Sequence, residues 1–303
     1  MHFVCPKCKG ELSGQYRCDA CRLDFPVICG IPDFRILPDP YIAIEADRAK
    51  GAALAGAISG MTFEQAVRHY YAITPDDPSD LAEIWTARAL SEVEIARSLL
   101  QHAPVGRSLL DVGCSTGAAL IAAGGGVCVD VAFRWLVIGS LRLREARVDA
   151  TLVCANAEHL PFPGNSFALA TCFDTIEHSN DAPLVFSELR RTSGALLLTS
   201  NNRWAPLPEP HVHLWGVQWL PRHKQKDFVA ERRKDLHPYT IQLRSAREGY
   251  RMAVDAGWRG VRVEAAPVYA PHKQASGIIS VYNTLRKIPG ASFIAPKWLL
   301  TGC

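Results

Sequence analysis

Apolar and polar positions alternate through residues 23–35 (LDFPVICGIPDFR), the pattern of a half-buried strand ending in a Gly-Ile-Pro turn. From about residue 41 to 106 the spacing turns helical, punctuated at 74–80 by TPDDPSD. Within 82–100 (AEIWTARALSEVEIARSLL) it predicts one apolar face made of Ile84, Ala87, Leu90, Val93, Ala96 and Leu100. The period changes again at 107. RSLLDVGCSTGAALIAAGGGVCVDVAF predicts a buried strand, a glycine-containing turn, a short helix and a second strand, the opening of a doubly wound α/β domain. LATCFDTIEH (169–178) reads as a fourth strand and GALLLTSNN (194–202) as a very apolar one. PRHKQKDFVAERRK (221–234) is basic and helical in pattern, and 247–267 reads as helix, glycine turn and strand. The apolar tail, 282–300, is expected to pack on the domain or on a partner.

Ahead of these elements stands CPKCKGELSGQYRCDAC. Cys5, Cys8, Cys18 and Cys21 have the paired Cys-x-x-Cys spacing of a four-thiolate zinc site, in which each turn aims two sulfurs at one ion. Gly10 and Gly14 suit a tight hairpin between the two turns. Some 35 residues are too few to hold a core alone, so the metal supplies most of such a module's folding energy. A site filled by four thiolates is closed to water, which makes the zinc structural. Cys29 is expected to be a packed thiol outside the tetrahedron.

Composition adds bounds. With 303 residues, 48% of them hydrophobic and 21% charged, the chain reads as an ordinary globular protein of about two domains. No apolar run reaches the roughly 18 residues of a membrane span. The start, MHFVCPKC, lacks the profile of a signal peptide, so the cytoplasm is the expected compartment, with cysteines serving metal and packing, not disulfides. Charge is uneven: residues 1–200 carry 17 basic and 23 acidic side chains, residues 201–303 carry 16 and 7. A basic C-terminal third suits an anionic partner or a solvated helical face.

The candidate chemistry lies in two places. Asp111, Gly113 and Gly117 mark the turn DVGCSTG, and Asp130 closes the next strand at about the offset where an acid meets ribose hydroxyls in nucleotide-binding folds. Asp174, Glu177 and His178 end the fourth strand, at the carboxyl edge where ligands of open α/β sheets sit. His178 is the first candidate for a general base, with helix capping or packing as its other reading. Trp204, His211, His213, Trp215 and Trp219 then cluster within sixteen residues, as a small-molecule pocket requires, with His211 or His213 as base or orienting group. The basic stretch Arg222, Lys224, Lys226, Arg232, Arg233 and Lys234 could meet a phosphate or nucleotide on the acceptor, or pair with Asp227, Glu231 and Asp235.

LLDVGCSTG, the acid in VCVDV, and CANAEHLPFPGNSFALATCFDTIEH, in this order over about 95–205, resemble the class I S-adenosylmethionine-dependent methyltransferases of the UbiE/UbiG-like, methyltransferase type 11, kind. The N-terminal cysteines resemble a Trm112-like zinc ribbon. The resemblance implies a Rossmann-like α/β core behind a small ribbon and a helical cap: 1–36 ribbon, 37–95 helical linker, 96–205 cofactor-binding core, 206–303 substrate loop and the rest of the domain. It implies that Asp111, Gly113, Ser115 (in place of the usual middle glycine) and Gly117 hold the methionine part of S-adenosylmethionine. Asp130 would bind the ribose and Asn156, Ala157 and Glu158 would flank the adenine, with Asp174 beside the cofactor. An NAD-binding Rossmann domain is the alternative, but the turn lacks the G-x-G-x-x-G order.

The leading function is methylation of a small acceptor, a sugar or natural product, with oxygen favoured and the acceptor phosphorylated or nucleotide-linked as one version. RNA methylation is an alternative that the basic C-terminal third favours and the acidic first 200 residues oppose. A degenerate methyltransferase, or a cofactor-dependent protein that does not methylate, is the third. Oligomeric state is not readable from the sequence.

Overall fold

A computed structural model describes residues 1–74, 79–103, 108–234, 239–268 and 276–303. Much of TPDDPSD, and Asp235, lie outside the described residues. The N-terminal segment forms two short antiparallel hairpins, β1 (Arg17–Cys18) with β2 (Leu23–Asp24), and β3 (Val27–Ile28) with β4 (Ile31–Pro32). Three helices follow: α1 (Ile44–Ala57), α2 (Phe63–Ala72) and α3 (Ser79–Leu100). α2 starts at a capping box in which Thr62 and Gln65 satisfy each other's backbone N–H.

The core then alternates strand and helix: β5 (Leu109–Val112), α4 (Ala118–Ala123), β6 (Gly126–Asp130), α5 (Phe133–Ala146), β7 (Ala150–Cys154), β8 (Phe167–Phe173), α6 (Ala182–Thr192) and β9 (Ser193–Asn201). After the aromatic loop come α7 (Arg222–Arg232), α8 (Ala246–Asp255), β10 (Arg262–Ala265), α9 (Ser276–Leu285) and β11 (Lys297–Gly302). The sheet has seven strands in the order β10-β11-β9-β8-β5-β6-β7. Only β11 runs against its neighbours, so the sheet is mixed, and the predicted apolar tail supplies that strand. β5 pairs with β6 on one side and β8 on the other, which makes its carboxyl end the topological switch point. The expected doubly wound α/β fold is present.

Two apolar layers cover the sheet. One contains α1, α2, α3 and α5; Gly51 lets α1 and α5 touch, because a Cβ there would stand 2.3 Å from the Phe133 ring. The other contains α6, α8 and the ribbon itself: Phe3, Cys5, Cys18, Phe25 and Phe34 share a core with Leu160, Phe162 and Phe186. The ribbon is therefore not a free-standing module. Val4 N–H donates to Pro161 O at 3.0 Å, Phe34 N–H to Cys154 O at 2.7 Å, and Lys9 pairs with Glu188 at 2.6 Å.

Three expectations need correction. α3 buries Leu81, Thr86, Ala89, Ala96 and Leu99, whereas Ile84 and Leu90 are exposed. The helix packs against α2 and α4 along a second apolar stripe, one that the periodicity of the sequence does not separate from the first. Cys29 is exposed, in a left-handed turn at φ 52°, and not packed. Cys114 and Cys128 form a disulfide that ties the glycine turn to β6, so not every thiol outside the ribbon is free. Among the described residues no helix is long and apolar enough to cross a membrane.

Candidate active site

The ribbon sulfurs come first. The Sγ atoms of Cys5, Cys8, Cys18 and Cys21 lie within 4.8 Å of one another, Cys8 and Cys18 at 3.6 Å. Zn–S bonds of about 2.3 Å in a tetrahedron place sulfurs about 3.8 Å apart. The donor set and spacing fit zinc, in a closed structural site.

The turn after β5 builds the second site. Gly113 has φ 74°, and a Cβ there would fall 2.0 Å from Thr175 Oγ1, so only glycine lets the turn pass beside the end of β8. Ser115, also left-handed at φ 48°, donates its N–H to Asp130 Oδ2 at 2.7 Å; Ala132 N–H reaches Oδ1 at 2.8 Å. Burial raises the Asp130 carboxyl to about 6. Its remaining lone pairs face a cavity of about 280 Å³ lined by Gly113, Ser115, Asp130, Asn156, Ala157 and Glu158, with Asp174 and His178 at one end. Gly117 caps α4 at φ 77° and lines neither cavity described here. Asp111 lies beneath the turn, accepts from Thr171 Oγ1 at 2.7 Å, and is raised to about 7 by burial.

The structure gives Asn156 a different part from the one expected. Its Oδ1 accepts the N–H groups of Ile36 and Leu37 at 3.0 and 3.1 Å, and its Nδ2 donates to Leu37 O. Both carbonyl lone pairs are thus taken up in clamping the chain that leaves the ribbon, not free for an adenine amino group. Glu158 is buried and accepts from Asn180 N–H at 3.0 Å.

A second cavity of about 480 Å³ adjoins the first and shares Gly113, Ser115, Asp174 and His178 with it. Trp85, Arg88 and Glu92 of α3, Ala266 and Val268 after β10, Lys297 of β11 and His211 of the aromatic loop are among the other residues of its wall. Asp174 is its charged centre: Arg88 Nη2 is 2.6 Å from Oδ2, Lys297 pairs with the same oxygen, and Thr199 Oγ1 donates to Oδ1 at 3.2 Å. Burial would raise this carboxyl, but Lys297 and Arg88 outweigh it and hold it well below the usual carboxylate range.

His211 Nδ1 is 2.7 Å from Oε1 of the fully buried Glu209, whose other oxygen accepts the N–H groups of His211 and Val212. Burial alone would lower His211, yet Glu209 raises it above the ordinary imidazole value of 6.5. The His178 ring lies 4.9 Å away, edge-on, and burial with repulsion from His211 pushes it down to about 3. Tyr41 OH stands 3.4 Å from its Nδ1. His213 is not part of the site: it is exposed, left-handed at φ 55°, and lines neither cavity. The chain turns there, so the His-x-His pair does not share a face.

Residues 110–195 match the methyltransferase-domain family Methyltransf_11. The chain carries a methyltransferase domain. It is a class I, S-adenosylmethionine-dependent domain with an N-terminal four-cysteine cluster. Among curated proteins none matches the sequence. Several solved structures align with this chain. A SAM-dependent methyltransferase of Thermotoga maritima is 16% identical, covering 74% of this chain and 94% of that one at a TM-score of 0.48. The complex of the Haloferax volcanii Trm112 methyltransferase activator with a methyltransferase aligns at 16% identity over 78% and 96%, TM-score 0.48. Phosphoethanolamine N-methyltransferase 2 of Haemonchus contortus, solved with S-adenosylmethionine, aligns at 17% over 69% of this chain and 51% of that one, TM-score 0.46. The methyltransferase chain thus spans about half the length of the Haemonchus enzyme.

Asp130→Ala is expected to weaken S-adenosylmethionine binding by about a hundredfold, since it removes a charged acceptor of two hydrogen bonds and unpins the Ser115 turn. Calorimetric titration of wild type and variant measures it; equal affinities would remove Asp130 from the cofactor site.

Proposed function

We propose that this methyltransferase methylates a hydroxyl of a small-molecule acceptor, with His211 as general base. The observation that carries the reading is the adjoining pair of cavities. One is walled by most of the residues expected to hold S-adenosylmethionine, Asp111 and Gly117 excepted, and the other bears His211, paired with the buried Glu209, on its wall. S-adenosylmethionine supplies a methyl group already activated by its sulfonium. What remains for the protein is to align the acceptor, exclude water and take a proton.

Glu209 accepts from Nδ1–H, which leaves Nε2 of His211 as the free base and stabilises the imidazolium that forms. His178, held neutral with so low a pKa, is a poor base and serves better as an edge of the pocket. Arg88 and Lys297 stand against Asp174 and Glu92 on the same cavity wall, so both signs of charge face the acceptor there, and phosphorylated and neutral acceptors are both to be compared. The basic stretch 222–234 does not reach the cavities. Arg222 pairs with Glu248 at 2.9 Å, Arg232 with Glu231 at 3.2 Å, and no residue of α7 lines either cavity.

The test is the pH profile of kcat/KM with acceptors found by screening phosphorylated and unphosphorylated glycosides. Activity needs neutral His211, so it should fall as pH drops through a value above 6.5. Glu209→Gln removes the charge that raises this pKa, and the acid limb should move to lower pH. His211→Ala should lose about 100- to 10,000-fold. An acid limb that persists unchanged in His211→Ala would assign the base elsewhere.

A further inference from the structure

α9 is attached to the domain by its polar side. Tyr282 donates its hydroxyl to Ala266 O at 2.9 Å. Asn283 accepts from Val268 N–H at 3.1 Å and donates to Val268 O at 2.9 Å, and Arg286 Nη1 donates to Ala265 O at 3.0 Å. The apolar side faces solvent. Val281 and Leu285, spaced i, i+4 on the helix, are 59% and 52% exposed, and the turns that follow it add Ile288, Phe293 and Ile294 at 57%, 58% and 65%. A surface helix ordinarily buries such a stripe and exposes its polar face. Here the arrangement is inverted, and exposed large apolar side chains gathered in one short segment point to a contact.

The charge around the stripe indicates what it meets. No acidic residue occurs from 265 to 303, while Arg286 and Lys287 interrupt the apolar positions. α8 packs on the same turn and exposes Tyr250 and Val254 together with Arg247, Arg251 and Asp255. β10, which also packs on it, exposes Arg262 and Glu264, so basic side chains still outnumber acidic ones around the turn. Asn202, two residues before the half-exposed Trp204, donates to the carbonyls of Ser292, Phe293 and Ala295. Aliphatic and aromatic side chains flanked by Lys and Arg, on a helix and a turn, are the composition of an interfacial membrane contact.

We propose that α9 and the turn after it lie on an anionic bilayer, with Val281, Leu285, Ile288, Phe293 and Ile294 among the headgroups and Lys287 against lipid phosphate. The consequence for the site is direct. Ala266 and Val268, to which α9 is tied, are wall residues of the acceptor cavity, so the contact seats that cavity beside the membrane surface. The contact does not depend on which acceptor is methylated.

Flotation of the zinc-loaded full chain with vesicles tests it, using phosphatidylcholine alone and phosphatidylcholine mixed with phosphatidylglycerol. Binding is expected to the mixed vesicles and to weaken with added salt. Leu285→Ser with Ile288→Ser should weaken it by at least about tenfold, and Lys287→Gln by about fivefold. None of the three lines either cavity, so S-adenosylmethionine affinity should stay unchanged and vouch for the fold. No binding to the mixed vesicles overturns the proposal, as does binding that the double variant retains. So does a monomer–dimer equilibrium, without vesicle binding, that the double variant abolishes; the stripe would then belong to a second copy of the chain.

Discussion

Stripping the zinc with a chelator, or replacing Cys5 and Cys18 by Ser, is expected to cost the protein its cofactor affinity together with its N-terminal fold. A structural zinc in such a site contributes about 10–16 kcal/mol, comparable with the whole stability of an ordinary domain at about 5–15 kcal/mol. The loss would not stay local. Cys5 and Cys18 are fully buried in the core that holds Phe34, and the Phe34 ring packs on Phe3 at 4.9 Å and Phe25 at 5.2 Å. Two residues on, Ile36 and Leu37 fix Asn156 at the cavity beside Asp130. Loss of those two hydrogen bonds alone should lower S-adenosylmethionine affinity about tenfold. Thermal melts and calorimetric titration, with and without chelator, read both effects. An N-terminus that becomes protease-sensitive while cofactor affinity stays constant would show that the ribbon does not support the cavity.

The second large effect is expected at Asp47. Its carboxylate joins Arg35 at 2.7 Å, Arg134 at 2.9 Å and the first N–H of α5, on Phe133, at 2.7 Å. Arg35 also holds Asp33 at 2.6 Å, and Arg134 holds Asp39 at 3.0 Å. This buried network binds the end of the ribbon, α1 and α5 into one body. Asp47→Ala leaves two guanidinium groups short of a partner away from water, at a cost of about 3–5 kcal/mol. That corresponds to a fall in Tm on the order of 10 °C for a chain of this size. Asp47→Asn keeps hydrogen-bond acceptance but not the charge and should fall between. A variant as stable as wild type would mean that water replaces the carboxylate.

The parts of the site that lie close together in sequence were legible. The glycine turn, Ser115 and Asp130 belong to one strand-turn-helix-strand unit, and the residue types state their backbone needs directly: left-handed φ at Gly113 and Gly117, an acceptor at the end of β6. The paired cysteines were legible for the same reason. Groups assembled from distant elements were not. Arg88, Lys297 and Glu209 come from α3, β11 and the aromatic loop, and only the folded sheet brings the first two onto Asp174. The clamp that Asn156 makes was not legible, because its partners, Ile36 and Leu37, lie some 120 residues upstream. Which of His211 and His213 lines the cavity was not legible, because the backbone breaks into a left-handed turn at His213 and turns that side chain away. The apolar face of α3 failed on phase, since a helix with two apolar sides does not announce which one is inward.

The Cys114–Cys128 bond gives the chain two redox requirements at once. Four sulfurs must stay reduced to serve as metal thiolates, while two others, in the same molecule, must be oxidised to fasten the glycine turn to its neighbouring strand. A buffer chosen for one set works against the other: strong thiol reductants protect the ribbon and loosen the turn, and oxidants do the reverse unless zinc already occupies the ribbon sulfurs. Preparing this protein is therefore a choice of order, with metal loading first and exposure to air second.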